Sequence, residues 1–255
     1  RLETGLREAL IADEFELAFQ PIVSLSTDRI VGAEALLRWQ RSCGTGIPPS
    51  DFIPVAEDLG IIAPLGAWVI EQACHAAAKW PADMVVAVNL SPVQFETPGL
   101  VRIVADALTA SGLSASRLQL EITESVLLHD NAVNLSILDQ LSELGVSTAL
   151  DDFGTGYSSL SYLQRFAFDR IKIDRSFISS INDNPYSHKI VRSIVMLAHS
   201  LGLAVTAEGV ETEAQLATVR GEGCDDVQGF YLGKPVPLAE FRQQLSGLYQ
   251  VSRIA

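Results

Sequence analysis

Cysteine is scarce in this sequence: Cys43, Cys74 and Cys224 are odd in number and widely spaced along 255 residues. So few thiols exclude a disulfide framework and offer no zinc-ligand spacing. They favour a reducing compartment, which makes the cytoplasm the expected location. Long apolar runs are also absent. No stretch approaches the roughly 18 apolar residues of a membrane span, and no secretory leader opens the chain. Arg1 is not a natural start, so the sequence reads as a piece of something longer, with any anchor or sensor outside it. Positive charge is in short supply: 18 Lys and Arg face 31 Asp and Glu, a formal net charge of −13. That balance argues against a broad grip on duplex nucleic acid. A small anionic ligand remains compatible with it if metal cations stand between ligand and acid.

What is present suits a sizeable core, with 48% hydrophobic and 19% charged residues. At this length one α/β barrel or two small domains would fit. Leu6 and Leu10, with Ala9 and Ile11, recur at helical spacing in a lead-in helix over 2–12. Two apolar runs, Phe15 to Val23 and Ile30 to Leu37, are separated only by a short polar stretch. They are expected to pair as a hairpin, the first strand antiparallel to the second. A Gly-, Pro- and Ser-rich loop over 40–50 and a short helix over 51–59 follow. Leu65, Trp68, Val69, Gln72, Ala73, Ala76 and Trp80 then mark an amphipathic helix ended by Pro81.

From there strands and helices alternate. Strands are predicted at 84–88, leading to Asn89; at 118–122, carrying Glu121; and at 146–150, ending in Asp151 and Asp152 before a glycine-rich loop. Further strands follow at 171–173, carrying Lys172; at 203–207, ending in Glu208; and at 226–227, leading to Gln228 and Gly229. Helices are predicted at 100–108, 133–144, 158–166, 190–201, 214–220 and 238–248. Eight strand candidates, most followed by a helix, imply a mainly parallel sheet with right-handed crossovers. Eight strands in about 250 residues close as a (β/α)₈ barrel. The expected fold class is therefore α/β, a TIM-type barrel modified by an antiparallel first strand. No linker or low-complexity stretch divides the chain, so 1–255 reads as one domain.

In such a barrel chemistry sits at the C-terminal ends of the strands. Glu34, Asn89, Glu121, Asp151, Asp152, Lys172, Glu208 and Gln228 fall at or near those ends, and all should meet at one mouth. The histidines, His75, His129, His188 and His199, fall on helices or loops and read as surface or core-edge residues. An oxygen-only donor set points to Mg²⁺ or Mn²⁺ rather than zinc. Adjacent carboxylates such as Asp151 and Asp152 are costly to bury bare, and hard cations relieve that cost. Two metals about 3.5–4 Å apart suit in-line displacement at phosphorus. Lys172 could orient an attacking water, accept its proton or stabilise negative charge; as a plain residue it would be an ion-pair partner for the acidic mouth. Asn89 could equally cap a turn. Glu124 is either a helix-start charge or an acceptor for backbone N–H groups of the loop from Asp152 to Tyr157.

With these residues in place, the chain resembles the EAL family of bacterial cyclic di-GMP phosphodiesterases. The resemblance rests on Glu34-Ala35-Leu36-Leu37-Arg38-Trp39, Asn89-Leu90-Ser91, Glu121-Ile122-Thr123-Glu124, and Asp151-Asp152-Phe153-Gly154-Thr155-Gly156-Tyr157-Ser158-Ser159. Ile171-Lys172-Ile173-Asp174, Glu208-Gly209-Val210-Glu211 and Gln228-Gly229 complete it, all in the family's order. The resemblance implies hydrolysis of cyclic di-GMP to linear pGpG with two Mg²⁺ or Mn²⁺ ions. It assigns Glu34, Asn89, Glu121, Asp151 and Glu208 to one metal, and Asp151 with Asp152 to the second. Lys172 and Gln228 match residues beside the catalytic water, Glu124 the anchor of the loop after the acidic pair, and Glu211 an accessory acidic position. Gln20, Leu36 and Arg38 match substrate contacts, and a guanidinium fork suits phosphate or a guanine edge. A homodimer and an attached sensor or cyclase domain are also implied. A binding module that senses cyclic di-GMP without turnover is the competing expectation.

Overall fold

The computed structural model describes residues 2–246 except 13, 42–43, 45, 129–131, 155–162, 164 and 167. Its first two strands, β1 (Phe15–Ser24) and β2 (Arg29–Gln40), form the hairpin read from the sequence. Asp28 closes the turn between them, with φ +55 and its N–H donating to Ser24 O at 2.9 Å. Four residues cannot carry a parallel crossover, which needs a dozen or more, so β1 must run antiparallel. A two-residue strand, β3 (Gly46–Ile47), pairs with the end of β2.

Parallel strands continue round the barrel: β4 (Val85–Leu90), β5 (Leu118–Thr123), β6 (Ser147–Phe153), β7 (Arg170–Ile173), β8 (Ala204–Ala207) and β9 (Asp226–Val227). Each pairs with the next, β2 pairs in parallel with β4, and β1 closes the ring antiparallel to both β2 and β9. The result is the expected eight-stranded α/β barrel with one reversed strand. A last short strand, β10 (Val236–Pro237), adds to β1 outside the ring.

The two-residue period of a strand explains the layering. Val86, Val88 and Leu90 of β4 and Leu118, Leu120 and Ile122 of β5 belong to the apolar shell packed under the helices. The alternate positions, Asn89 on β4 and Gln119 and Glu121 on β5, are polar. Helix Ile62–Ala77 buries Leu65, Val69, Ile70, Ala73 and Cys74. It stops at Ala77 rather than at Pro81, because Ala78 to Trp80 tighten into a turn whose N–H groups bond Cys74, Ala76 and Ala77 carbonyls. Arg117 fastens this corner by donating to the carbonyls of Met84, Ala77 and Pro81 at 2.8, 2.8 and 2.9 Å. A second apolar cluster, with Phe15, Trp39 and Phe52 at its centre, packs helices Leu2–Ile11 and Pro49–Asp58 onto β1 and β2.

Two expectations change. The pattern predicts a strand ending at the acidic pair, but β6 runs through both acids to Phe153. A five-residue helix, Arg175–Ser179, follows β7 directly; Asp174 caps it by accepting from Ser176 N at 3.0 Å. The helix expected over 158–166 lies largely outside the described residues. Among the described residues, no helix is long and apolar enough to cross a membrane.

Candidate active site

Alternation carries the polar residues to the inner wall, and register brings them to one level. Gln20 stands opposite Glu34, Asn89 opposite Glu121, and Thr123 opposite Asp151. Asp151 and Asp152 would point to opposite faces in a regular strand. Here the pairing with β7 shifts register between Leu150 and Phe153, and Asp152 adopts φ +54. A small polar side chain tolerates that left-handed conformation better than most. Asp152 N–H donates to Asp151 Oδ1 at 3.0 Å. One carboxylate oxygen each from Asp151, Asp152 and Glu208 then lie within 4.8 Å of one another.

Lys172 is the hub. It is 1% exposed, and its Nζ lies 2.5 Å from Glu121, 2.6 Å from Glu208, 3.4 Å from Asp151 and 3.8 Å from Glu34. Burial alone would pull its pKa down; the four carboxylates outweigh that and hold it well above the usual lysine value. Burial pushes Glu121 well above the ordinary carboxylate range despite Lys172, with Glu34, Asp151 and Glu208 adding repulsion. Burial likewise raises Glu208 to about 8 and, with Asp151 and Asp174 beside it, Asp152 to about 6. One ammonium thus serves more negative charge than it can neutralise.

Amides bind the acids together. Asn89 Nδ2 donates to Glu34 Oε1, and Gln228 Nε2 to Glu34 Oε2, both at 2.6 Å; Gln228 Nε2 also reaches Gln20 Oε1 at 3.0 Å. Both bonds fix the orientation of the Gln228 amide, and its Oε1 is left buried with no hydrogen-bond partner among the described residues. A buried orphan acceptor beside a charge-rich cluster calls for a cation or a water. The donor set is oxygen throughout, so Glu34, Asn89, Glu121, Asp151, Asp152 and Glu208 have the chemistry of a Mg²⁺- or Mn²⁺-type site.

Above this level opens a cavity of about 360 Å³, whose wall includes Gln20, Leu36, Arg38 and Glu211. Arg38 spends one donor on Leu37 O at 2.9 Å, and burial lowers its pKa against the opposing pull of Glu34 and Glu16. Glu121 and Lys172 line a second cavity of about 210 Å³, together with Gln119, Arg170, Thr206 and Asp226. Two expected site residues stand apart from the cluster. Glu124 accepts from Gly154 N at 2.9 Å, which ties down the start of the loop after the acidic pair. Thr155 to Ser159 of that loop lie outside the described residues. Glu211 is exposed at the rim. The histidines keep away from the site: His75, His188 and His199 pair with Glu71, Glu222 and Asp225, and His129 lies outside the described residues.

Sequence reading missed Arg175 and Phe230, which also line the upper cavity. Their only signal is adjacency, one residue beyond Ile171-Lys172-Ile173-Asp174 and one beyond Gln228-Gly229.

A family model described as the EAL domain matches residues 3–235. The chain is 47% identical over 252 residues to an uncharacterized protein, y4lL, of Sinorhizobium fredii, covering 99% of this chain and 30% of that protein. It is 44% identical over 236 residues to the bifunctional diguanylate cyclase/cyclic di-GMP phosphodiesterase MucR of Pseudomonas aeruginosa, covering 91% of this chain and 34% of MucR. The chain thus spans about a third of the length of these curated relatives. A solved structure of the PaMucR phosphodiesterase in complex with c-di-GMP superposes with a TM-score of 0.90 at 43% identity, covering 94% of this chain and 99% of that one. The FimX EAL domain from Pseudomonas aeruginosa bound to c-di-GMP gives 0.86 at 27% identity, covering 92% and 96%.

Proposed function

This chain belongs to the EAL domain family, and from that premise we propose that it is a divalent-metal phosphodiesterase that opens one phosphodiester bond of cyclic di-GMP to give linear pGpG. The observation that carries the proposal is the meeting of Glu34, Glu121, Asp151 and Glu208 around Lys172, at distances of 2.5 to 3.8 Å, with Glu34, Asp151 and Glu208 lining one open cavity. Asp152 joins the cluster through its φ +54 turn. Glu34, Asn89, Glu121, Asp151, Asp152 and Glu208 would hold Mg²⁺ or Mn²⁺, two ions per site. Bound divalent cations lower the pKa of a water and neutralise the charge that grows on phosphate oxygens.

The side chains supply the rest. Lys172 keeps its proton among the carboxylates and places a fixed positive charge beside the reacting water and phosphoryl oxygens. Gln228, held by Gln20 and Glu34, aims its unspent Oε1 as an acceptor for that water. Gln20, Leu36 and Arg38 receive the dinucleotide, with the guanidinium facing a phosphate or a guanine edge. Glu124 steadies the loop through Gly154, and Glu211 adds charge at the rim. We take residues 1–255 as one such domain of a longer cytoplasmic protein that carries a sensor or cyclase region and pairs as a homodimer. Two buried thiols, Cys74 and Cys224, support the reducing location.

The test is to incubate the purified domain with cyclic di-GMP and either metal and to resolve the products by chromatography. Conversion to pGpG, abolished by chelator, is expected. Folded protein that binds cyclic di-GMP and leaves it intact under both metals would be a sensor, and the proposal would fall.

A further inference from the structure

Barrel interiors are ordinarily filled by layers of bulky branched side chains. One strand repeat below the acidic cluster this barrel is built differently. Two residues before Glu34, Asn89 and Asp151, the same face carries only Gly32, Ala87 and Ala149. Two residues before Lys172, Glu208 and Gln228 it carries Arg170, Thr206 and Asp226. Gly32, Arg170, Thr206 and Asp226 line the cavity of about 210 Å³. Arg170 crosses this level. Its Nη1 donates to Thr206 Oγ1 at 2.7 Å and to Asp226 Oδ2 at 2.5 Å. The three residues belong to β7, β8 and β9, so one guanidinium nitrogen ties three neighbouring strands together. The backbone holds these strands by little. β8 has four residues and β9 two, and they pair only at Thr206–Asp226 and Ala207–Val227. With a cavity in place of an apolar layer, inside packing adds little to their spacing. Yet the residues just beyond need tight placement: Lys172 meets Glu208, and Gln228 meets Glu34, each at 2.6 Å. A misplacement of about 1 Å at such a site can cost about 100-fold in rate.

We propose that Arg170 is a positioning residue for the reaction: by tying Thr206 to Asp226 it sets the spacing of Lys172, Glu208 and Gln228 around the metal site. The inference rests on the phosphodiesterase reading. Arg170 touches neither substrate nor reacting atoms. Its effect runs up three strands at once, because each inward residue it holds is followed on the same face by a residue of the site.

The experiment compares wild type with Arg170→Met, Thr206→Val and the double variant Arg170→Met/Asp226→Leu. Four quantities are read: kcat and KM for cyclic di-GMP with Mn²⁺, Mn²⁺ affinity by calorimetry, and the melting temperature of the metal-free protein. Arg170→Met leaves Asp226 unpaired and should melt lower. The double variant replaces the whole ion pair by apolar groups, an exchange that is often neutral or stabilising, so its melting temperature should return towards wild type. Removing the residues that orient a metal site costs about 10- to 100-fold in affinity or activity. Both Arg170 variants should therefore lose at least tenfold in kcat and in Mn²⁺ affinity, with KM within threefold, and the double variant should not regain either loss. Thr206→Val keeps the ion pair and cuts one tie; it should lower kcat at least threefold while melting within a few degrees of wild type. It decides the case if the Arg170 variants do not fold. Turnover that recovers together with stability in the double variant would make the pair merely structural and overturn the proposal, as would full turnover in Thr206→Val. A wild type that binds Mn²⁺ without cleaving cyclic di-GMP would sink the phosphodiesterase reading alone, and weaker Mn²⁺ binding by the variants would still support the clamp. A wild type that binds no Mn²⁺ would end both.

Discussion

Replacing Lys172 with methionine keeps the length of the side chain and removes its charge. In the metal-free protein that charge lies 2.5 to 3.8 Å from four carboxylates and is 1% exposed. Stripping the cation from a buried ion cluster leaves uncompensated charge, which costs about 3–5 kcal/mol. At this chain length each kcal/mol moves the melting temperature by about 2 °C, so the metal-free variant should melt about 6–10 °C below wild type. The deficit should depend on pH. Glu208 rises from 4.5 to about 8 in the folded protein, chiefly through burial, so between those values the folded state holds more protons than the unfolded one. Stability of the metal-free protein then falls as pH climbs through that window. Without Lys172 the fall should steepen, giving a larger deficit at pH 8 than at pH 5. Mg²⁺ or Mn²⁺ should restore more stability to the variant than to wild type, because the ion substitutes for the missing charge. Calorimetric melts at the two pH values, with and without metal, check this. A metal-free melting temperature within 2 °C of wild type at pH 8, or an equal gain on adding metal, would show that Lys172 is not the counter-charge of this cluster.

Three further outcomes follow. Glu208→Gln should weaken Mn²⁺ binding at least tenfold in isothermal titration, since it removes the negative charge of one of three carboxylates whose oxygens lie within 4.8 Å of one another; unaltered affinity would exclude Glu208 as a ligand. Glu124→Ala loses the acceptor for Gly154 N and should lower turnover at least tenfold while shifting the melting temperature by only a few degrees. Full activity in that variant would confine Glu124 to a helix-start role. Metal uptake should release protons below pH 8, because Glu208 and Asp152, raised to about 8 and about 6, must ionise to bind. Titration in buffers of different ionisation enthalpy measures that release, and a buffer-independent heat would contradict it.

The barrel was legible because its signals are local and periodic. The short turn after Ser24 dictates a reversed first strand, and β5 alternates apolar with polar residues in the two-residue rhythm of a strand. The acidic pair was legible in composition but not in geometry. Sequence placed Asp151 and Asp152 at a strand tip, whereas β6 continues through them. Their convergence on one side depends on a register shift and a left-handed residue, which tertiary pairing imposes. That Lys172 would sit among four acids needed the closed ring, because Glu34, Glu121, Asp151 and Glu208 come from four other strands or strand ends. Arg175 and Phe230 were invisible for a related reason. Arg175 opens the short helix after β7 and Phe230 lies in the turn after β9, and the closing of the barrel mouth makes them neighbours of one cavity.

The account turns on water attacking phosphorus at this acidic floor, and hydrolysis in ¹⁸O-labelled water tests that most directly. With Mn²⁺ present, mass spectrometry of the product should find pGpG carrying a single ¹⁸O on its terminal phosphate, and chelator should abolish product and label together. Intact cyclic di-GMP, or label in the freed 3′ hydroxyl rather than on phosphate, would contradict it.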